Sequence, residues 1–314
     1  MSRGGTTASR PRLLLVGGGS GLAGRHLLEE FHPTHLIRSV HRHPSAREAE
    51  LGVEWIPADV ARVADWRPLL ADVDLVVTVA WYRAGPDRRF RPLAEGLERL
   101  IRACEGLGVP RFVHLSVPEA TPHIETELPY MVRKREVDRT LAASGLSYSI
   151  LRPTMLFAPR DVLLTVMLRT MARWHRFPMF GDGEYHVSPV AARDVASIVR
   201  RESTLDRRGV VEVGGPTRWR YRDLTDFLFG TLRLPPRYLR MSPRNGVRLA
   251  RFLETVGSSL LYAYEVEWLV SDRLGLAPYQ GLERPLQGVE GFVQSEATRL
   301  RPSRPSPPRG GTAT

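Results

Sequence analysis

The chain of 314 residues reads as an α/β protein built on a doubly wound parallel sheet, with a smaller, interleaved C-terminal lobe. Three observations predict this. Short apolar runs alternate with helical patterns as far as residue 152, the first run stops at glycines that open a helix, and after Arg152-Pro153 the alternation becomes irregular. With 42% hydrophobic and 25% charged residues, the chain has enough apolar surface for a sizeable core.

The elements follow in order. Residues 12–16 form an apolar strand, and residues 22–31 a helix with Leu22, Leu27, Leu28 and Phe31 on one face. Further strands are expected at 35–41, 53–56, 74–80, 111–116 and 147–152, with helices between them at 46–51, 63–70, 92–107 and 128–143. Beyond residue 153, helical patterns lie at 161–175, 191–201, 221–232 and 244–274. Short strands at 184–187 and 210–213 are expected to rejoin the main sheet or to form a small one. Residues 12–154 therefore make the first domain and 155–298 a lobe partly rejoining its sheet. Residues 1–11 and the Pro-, Ser- and Gly-rich 299–314 read as disordered.

The net charge of +11 invites nucleic acid or a membrane surface, but its placement weakens that reading, although the amphipathic stretch 244–274 leaves core, oligomer contact and membrane-surface contact all open. Arg3, Arg10 and Arg12 at one end and Arg299, Arg301, Arg304 and Arg309 at the other have no acids among them. With these seven set aside, the excess over residues 13–298 falls to 4. No specific nucleic-acid partner is expected. The lone cysteine, Cys104, cannot form an internal disulfide, no secretory apolar segment opens the chain, and no run of 18 apolar residues occurs. A soluble, cytoplasmic protein without a transmembrane segment is expected. His41, His43, His114 and His186 read as ordinary strand or loop residues, with no metal cluster; oligomeric state is left open.

Chemistry enters at Gly18-x-x-Gly21-x-x-Gly24, directly between a strand and a helix. Glycines there allow a sharp turn and close backbone approach to a pyrophosphate, and the helix start offers free N–H donors, which is the dinucleotide site of a Rossmann sheet. Gly18, Ser20, Gly21, Leu22 and Gly24 are its candidate residues. The second strand ends in Val40-His41-Arg42 with no acid to take a ribose 2′-hydroxyl, while Arg42 stands where a guanidinium would clamp a 2′-phosphate. NADP is therefore expected over NAD. Asp59 would face the adenine amino group with Val60 beside it, and Ala80 and Trp81 would line the cleft after the fourth strand.

Lys134 is the only lysine beside 44 arginines, and it stands four residues after Tyr130. At that spacing the two share a helix face continued by Val137 and Leu141, so Lys134 should point inward. An ammonium without a function would be costly there.

Together with Ala58-Asp59-Val60, Arg111-Phe-Val-His-Leu-Ser116, Leu151-Arg152-Pro153 and Ala192-Arg193-Asp194-Val195-Ala196, these motifs resemble the short-chain dehydrogenase/reductase superfamily. The resemblance lies with its extended and atypical branches: nucleotide-sugar epimerases and dehydratases, NmrA-like proteins and the NAD(P)H-binding accessory subunit of respiratory complex I. It covers roughly residues 12–230. It implies that Tyr130 is the acid/base, that Lys134 holds the nicotinamide ribose and lowers the Tyr130 pKa, that Ser116 donates to the substrate oxygen, and that Pro153 lies near the nicotinamide. Only 14 positions separate Ser116 from Tyr130, Pro118 follows the serine closely, and Trp81-Tyr82 is bulky, all of which disfavour a nucleotide-sugar substrate. The expected function is NAD(P)H-dependent hydride transfer to or from a small carbonyl or alcohol. The alternatives are a nucleotide-sugar epimerase or dehydratase with tightly bound cofactor, and a non-catalytic NADP(H)-binding redox sensor or assembly protein.

Overall fold

The structure, a computed structural model, describes residues 10–19, 21–83, 87–159, 161, 163–257 and 261–300. The strands are β1 (Arg12–Val16), β2 (Leu36–His41), β3 (Glu54–Pro57), β4 (Leu75–Thr78), β5 (Arg111–Leu115), β6 (Tyr148–Pro153), β7 (Leu156–Phe157), β8 (Phe177–Phe180), β9 (His186–Val187), β10 (Val190–Ala191), β11 (Arg208–Val213), β12 (Trp219–Arg220) and β13 (Tyr238–Met241). The helices are α1 (Gly24–Phe31), α2 (Ala46–Glu50), α3 (Asp87–Leu107), α4 (Pro122–Glu127), α5 (Pro129–Ala143), α6 (Leu164–Trp174), α7 (Ala192–Ser203), α8 (Tyr221–Thr231), α9 (Pro243–Thr255), α10 (Ala263–Leu269) and α11 (Val289–Leu300).

Seven strands form one parallel sheet in the order β11-β6-β5-β4-β1-β2-β3. The order reverses between β1 and β4, and a sheet of this kind opens a crevice at the carboxyl ends of its strands at that switch point. Both faces are covered, so β1 is apolar and buried from Leu13 to Val16. Leu13 and Leu15 join the core shared with α1 and α7, while Leu14 and Val16 join the core under α3 and α5. A third core lies in the C-terminal half, where α6, α8 and α11 enclose Phe157, Met171, Leu228, Phe229 and Val293.

Outside 63–70 the alternating strands and helices of the first half lie close to the expected stretches, and β11 does rejoin the main sheet, at its edge beside β6. Several expectations are corrected. The stretch 184–187 forms the small sheet that was one of its two expected outcomes, but only over His186–Val187, as β9 antiparallel to β12. The 63–70 pattern is not an α-helix: 3-10 turns occupy Val60–Arg62 and Arg67–Leu70, since Pro68 lacks an N–H and the Asp65 carboxylate takes the Arg67 N–H instead. The 244–274 stretch breaks after Thr255, where Gly257 adopts φ +77°, and resumes as α10. Helix α11 was not anticipated at all. It runs through Arg299 and Leu300, so the segment expected to be disordered from residue 299 begins as helix; residues 301–314 and 1–9 lie outside the described residues, whereas Arg10 donates to the His35 carbonyl at 2.8 Å. Among the described residues no helix is long and apolar enough to cross a membrane, and no group of three His, Cys, Asp or Glu is placed to hold a metal.

Gly96 sets how closely α3 approaches the sheet edge. A Cβ there would lie 2.2 Å from the Val60 carbonyl oxygen, and the Gly96 carbonyl accepts the Trp66 indole N–H at 3.1 Å. Alanine would gain about 1 kcal/mol in helix propensity, but a rigid backbone oxygen would have to move. Gly96→Ala is therefore expected to lower stability by about 2 kcal/mol in urea unfolding, consistent with the usual cost of overpacking; an unchanged midpoint would contradict this contact.

Candidate functional site

The carboxyl ends of β1, β2, β4 and β5 gather the candidate residues. Gly17 turns the chain out of β1 with φ +87°, held by its N–H to the Val40 carbonyl at 2.9 Å. A Cβ on Gly17 would fall 2.3 Å from the Cβ of Ala80, so the loop lies directly against the end of β4. Gly21 donates to the Gly18 carbonyl at 3.0 Å, and a Cβ on Gly24 would sit 1.5 Å from that same oxygen. The loop is thus a bare-backbone cradle at the start of α1, the form a pyrophosphate fits. Leu22 is half-buried in the turn; Ser20 lies outside the described residues.

A carboxylate not anticipated from the sequence borders this cradle. Glu48 in α2 is 1% exposed, and its carboxylate would meet any Cβ on Gly19 at 2.2 Å. It bonds His41 Nε2 at 2.6 Å and accepts from the Ser45 N–H at 2.9 Å, closing a capping box. Burial works against its charge, but the hydrogen bonds with His41 and Ser45 help to outweigh it and hold the carboxyl below its usual range. The pattern Ser45-x-x-Glu48 was available in the sequence as a capping signal, though nothing local ties it to the glycine loop.

Arg42 is exposed, stands 5.7 Å from the Tyr82 ring and forms no ion pair among the described residues. Asp59 caps the turn that follows, accepting from the Ala61 N–H at 3.1 Å, and Val60 is buried against α3. Pro153 pairs in register with Val213, and Thr154 donates to the Ser188 carbonyl.

At the other end of the crevice, Lys134 is 2% exposed, as its helix face demands. Its Nζ donates to the Leu115 carbonyl at 2.7 Å, at the end of β5, and lies 4.4 Å from the centre of the Trp81 ring. Burial lowers its pKa from 10.5 to about 7, with Asp138 opposing the shift and Arg135 adding to it. Tyr130 sits one turn earlier among rings: it stacks on Tyr264 with centroids 5.3 Å apart and meets Phe90 and Trp81 edge-on at 5.8 and 6.1 Å. Among the described residues its hydroxyl makes no hydrogen bond. The expectation that Lys134 lowers the Tyr130 pKa is not met. Burial first, then the Glu265 carboxylate, push the phenol well above its ordinary 10.

Ser116 is buried and donates to Asp138 at 2.8 Å. Arg135 and Arg152 reach the same carboxylate oxygen at 3.0 and 3.5 Å, and Arg135 also holds the Val117 and Pro118 carbonyls. Asp138 continues the Tyr130 and Lys134 face by one more turn, a spacing that would have revealed it. His114 lies beneath, with Nδ1 2.6 Å from the Thr78 hydroxyl and Nε2 3.6 Å from Asp138; burial, then Lys134 and Arg135, keep it far below its ordinary pKa. The structure therefore brings together Gly17, Ala80, Trp81, Lys134 and Tyr130 in one run of contacts, with Ser116 turned to Asp138. A cavity of about 610 Å³ opens beside Tyr130, walled by Phe90, Leu128, Tyr262 and Tyr264.

Comparison with known proteins bears on the fold and on its glycine-turn half. Residues 18–172 match the family described as NAD(P)H-binding. The photosystem II assembly factor Ycf39 of a Synechocystis strain is 28% identical over 145 residues, which is 44% of this chain and 43% of that protein; the chain thus spans under half the length of this relative. A nucleoside-diphosphate-sugar epimerase of Staphylococcus aureus superposes with a TM-score of 0.73 at 16% identity, covering 90% of this chain and 99% of the other. The UDP-glucuronic acid 4-epimerase of Bacillus cereus, in complex with NAD, gives a TM-score of 0.64 at 15% identity, covering 92% and 98%. At these identities the two structures speak to the fold.

Lysine burial has a measurable consequence. Between about 7 and 10.5 the unfolded chain holds a proton on Lys134 that the folded chain lacks, so this group makes stability rise with pH across that window. Lys134→Met is expected to remove that rise in denaturant titrations and to stabilise the protein at pH 7 by on the order of 1–3 kcal/mol. A variant less stable than the parent at every pH would show that the ammonium is structurally required.

Proposed function

From a chain that carries an NAD(P)-binding Rossmann domain, we propose an NADP(H)-dependent oxidoreductase that reduces a small carbonyl compound in the cavity beside Tyr130. The observation that carries this reading is the buried Lys134 ammonium, set between the Leu115 carbonyl and the Trp81 ring one helical turn from an unbonded tyrosine hydroxyl. A group so costly to bury, at the strand ends beside a glycine cradle, marks a working site.

The residues fit the cofactor. The bare backbone of Gly17, Gly18 and Gly24 accommodates the pyrophosphate, and the Arg42 guanidinium is free to take a 2′-phosphate. The one buried acid nearby, Glu48, is committed to His41 and Ser45. Bound there, the nicotinamide supplies hydride. Tyr130 donates its proton to the oxygen that becomes an alkoxide. A phenol held above its ordinary pKa remains protonated at neutral pH and is still far more acidic than an alcohol, which suits it to donate a proton in the reducing direction. Charged Lys134 stabilises the developing negative charge, and Asp138 fixes Ser116 and Arg135 behind it. The aromatic walls suit a planar, apolar carbonyl compound, whereas Glu254 and Glu267 at the cavity oppose the diphosphate of a nucleotide sugar.

Fluorescence titration of the purified chain with NADPH and NADH tests the cofactor. NADPH is expected to bind more tightly, and Arg42→Ala to lose roughly tenfold or more of NADPH affinity while leaving NADH unchanged, as expected for one charge-assisted phosphate contact. Equal losses would remove the NADP preference, and binding of neither cofactor would end the reading. The pH profile tests the lysine. Reduction requires protonated Lys134, so kcat/KM is expected to fall as pH rises through about 7; a limb at the same pH in Lys134→Ala would assign it to another group.

A further inference from the structure

Helix α9 carries its side chains inverted relative to a helix seated on a water-soluble surface. Its small residues face inward: Ala250 is fully buried, and a Cβ on Gly246 would lie 2.5 Å from the Phe180 ring. Val247 packs inward with them, against the core of Phe180 and Val266, but other large apolar residues face outward, with Leu249 39% exposed, Phe252 62% and Val256, just past its last turn, 62%. Spacings of three and four put these on one ridge. Beside it run Arg244, Arg248 and Arg251, at spacings of four and three, all exposed and without an ion pair among the described residues. Arg237 and Arg240, on the approach through β13, are exposed and equally unpaired. The acid of the helix, Glu254, accepts the Ala263 N–H at 2.6 Å on the α10 side.

An apolar ridge flanked by an arginine stripe has the composition of a helix that lies in a lipid headgroup layer. We propose that the outer face of α9 docks on an anionic bilayer surface, with Leu249, Phe252 and Val256 in the acyl boundary and the arginines against lipid phosphates. A second copy suits this face less well, because a two-fold contact through the ridge would set arginine stripes together with no free carboxylate between them. Arg251 and Gly257 also line the cavity beside Tyr130, so docking sets that cavity next to lipid. The inference rests on α9 and the residues that flank it, and stands whatever the cavity reduces.

Flotation of the full chain with vesicles tests it. The chain is expected to float with phosphatidylcholine vesicles containing phosphatidylglycerol and to stay behind with phosphatidylcholine alone. Arg248→Ala should weaken binding about fivefold, the share of one basic residue near an anionic surface, and Phe252→Glu should abolish it. Neither residue belongs to the proposed cofactor site, so NADPH titration serves as the folding control for both variants. Absence of flotation with anionic vesicles, or undiminished flotation of a folded Phe252→Glu variant, overturns the proposal. So does a dimer in light scattering that Phe252→Glu dissolves while vesicles bind neither form, which assigns the ridge to a second copy.

Discussion

A parallel sheet leaves the last carbonyls of its strands without strand partners, and the candidate site is built on one of them. The Leu115 oxygen at the end of β5 takes the Lys134 ammonium at 2.7 Å, and the Trp81 ring covers the same charge. Neither partner carries a negative charge, so burial wins and the lysine sits near pKa 7. Everything around it follows from that choice of weak compensation. Trp81 has to stand next to Ala80, Ala80 has to abut Gly17, and Gly17 then has to be bare backbone. The glycine cradle and the lysine are two ends of one packing constraint across β1, β4 and β5.

The arginines perform the opposite task. Arg135 binds Glu125, Asp138 and the Val117 and Pro118 carbonyls, which locks the chain after β5 against α5. Arg133 joins Asp87 at the start of α3 to Glu136, and Arg111 ties β5 to the Glu202 and Arg207 carbonyls beside β11. A planar fork with five fixed donors suits such multi-point ties, and its charge does not titrate in the neutral range. The one lysine stands instead where the cation is buried and has a carbonyl and a ring for partners.

Much of this was legible in the sequence because it is local. Strand runs, the glycine turn and the inward direction of Lys134 depend on periods of two and 3.6 within short windows. What escaped depends on distant partners. Tyr130 is raised rather than lowered because Tyr264 and Glu265, more than 130 positions away in sequence, close over it. Glu48 reads as a helix cap until the fold sets it beneath Gly19. The 244–274 pattern reads as one helix because its apolar spacing runs on past Gly257, where the chain breaks, and periodicity cannot tell an inward apolar face from an outward one. Helix α11 was hidden by the proline- and glycine-bearing stretch before it, although Val289, Phe292, Val293 and Ala297 do share its buried face.

Separating the two charged chemistries also explains how the proposed site works as a reductase. Proton donation needs an acid that is protonated at rest, and burial among rings achieves this for Tyr130 without a hydrogen-bond partner among the described residues. Stabilising an alkoxide needs a nearby cation, but a permanently charged guanidinium at 2% exposure would cost far more than an ammonium able to release its proton. A lysine near its own pKa is charged when protons are available and neutral when they are scarce. The same burial that raises the tyrosine lowers the lysine, so a single desolvated pocket sets both groups at once, one held as a weak acid and the other poised near neutrality.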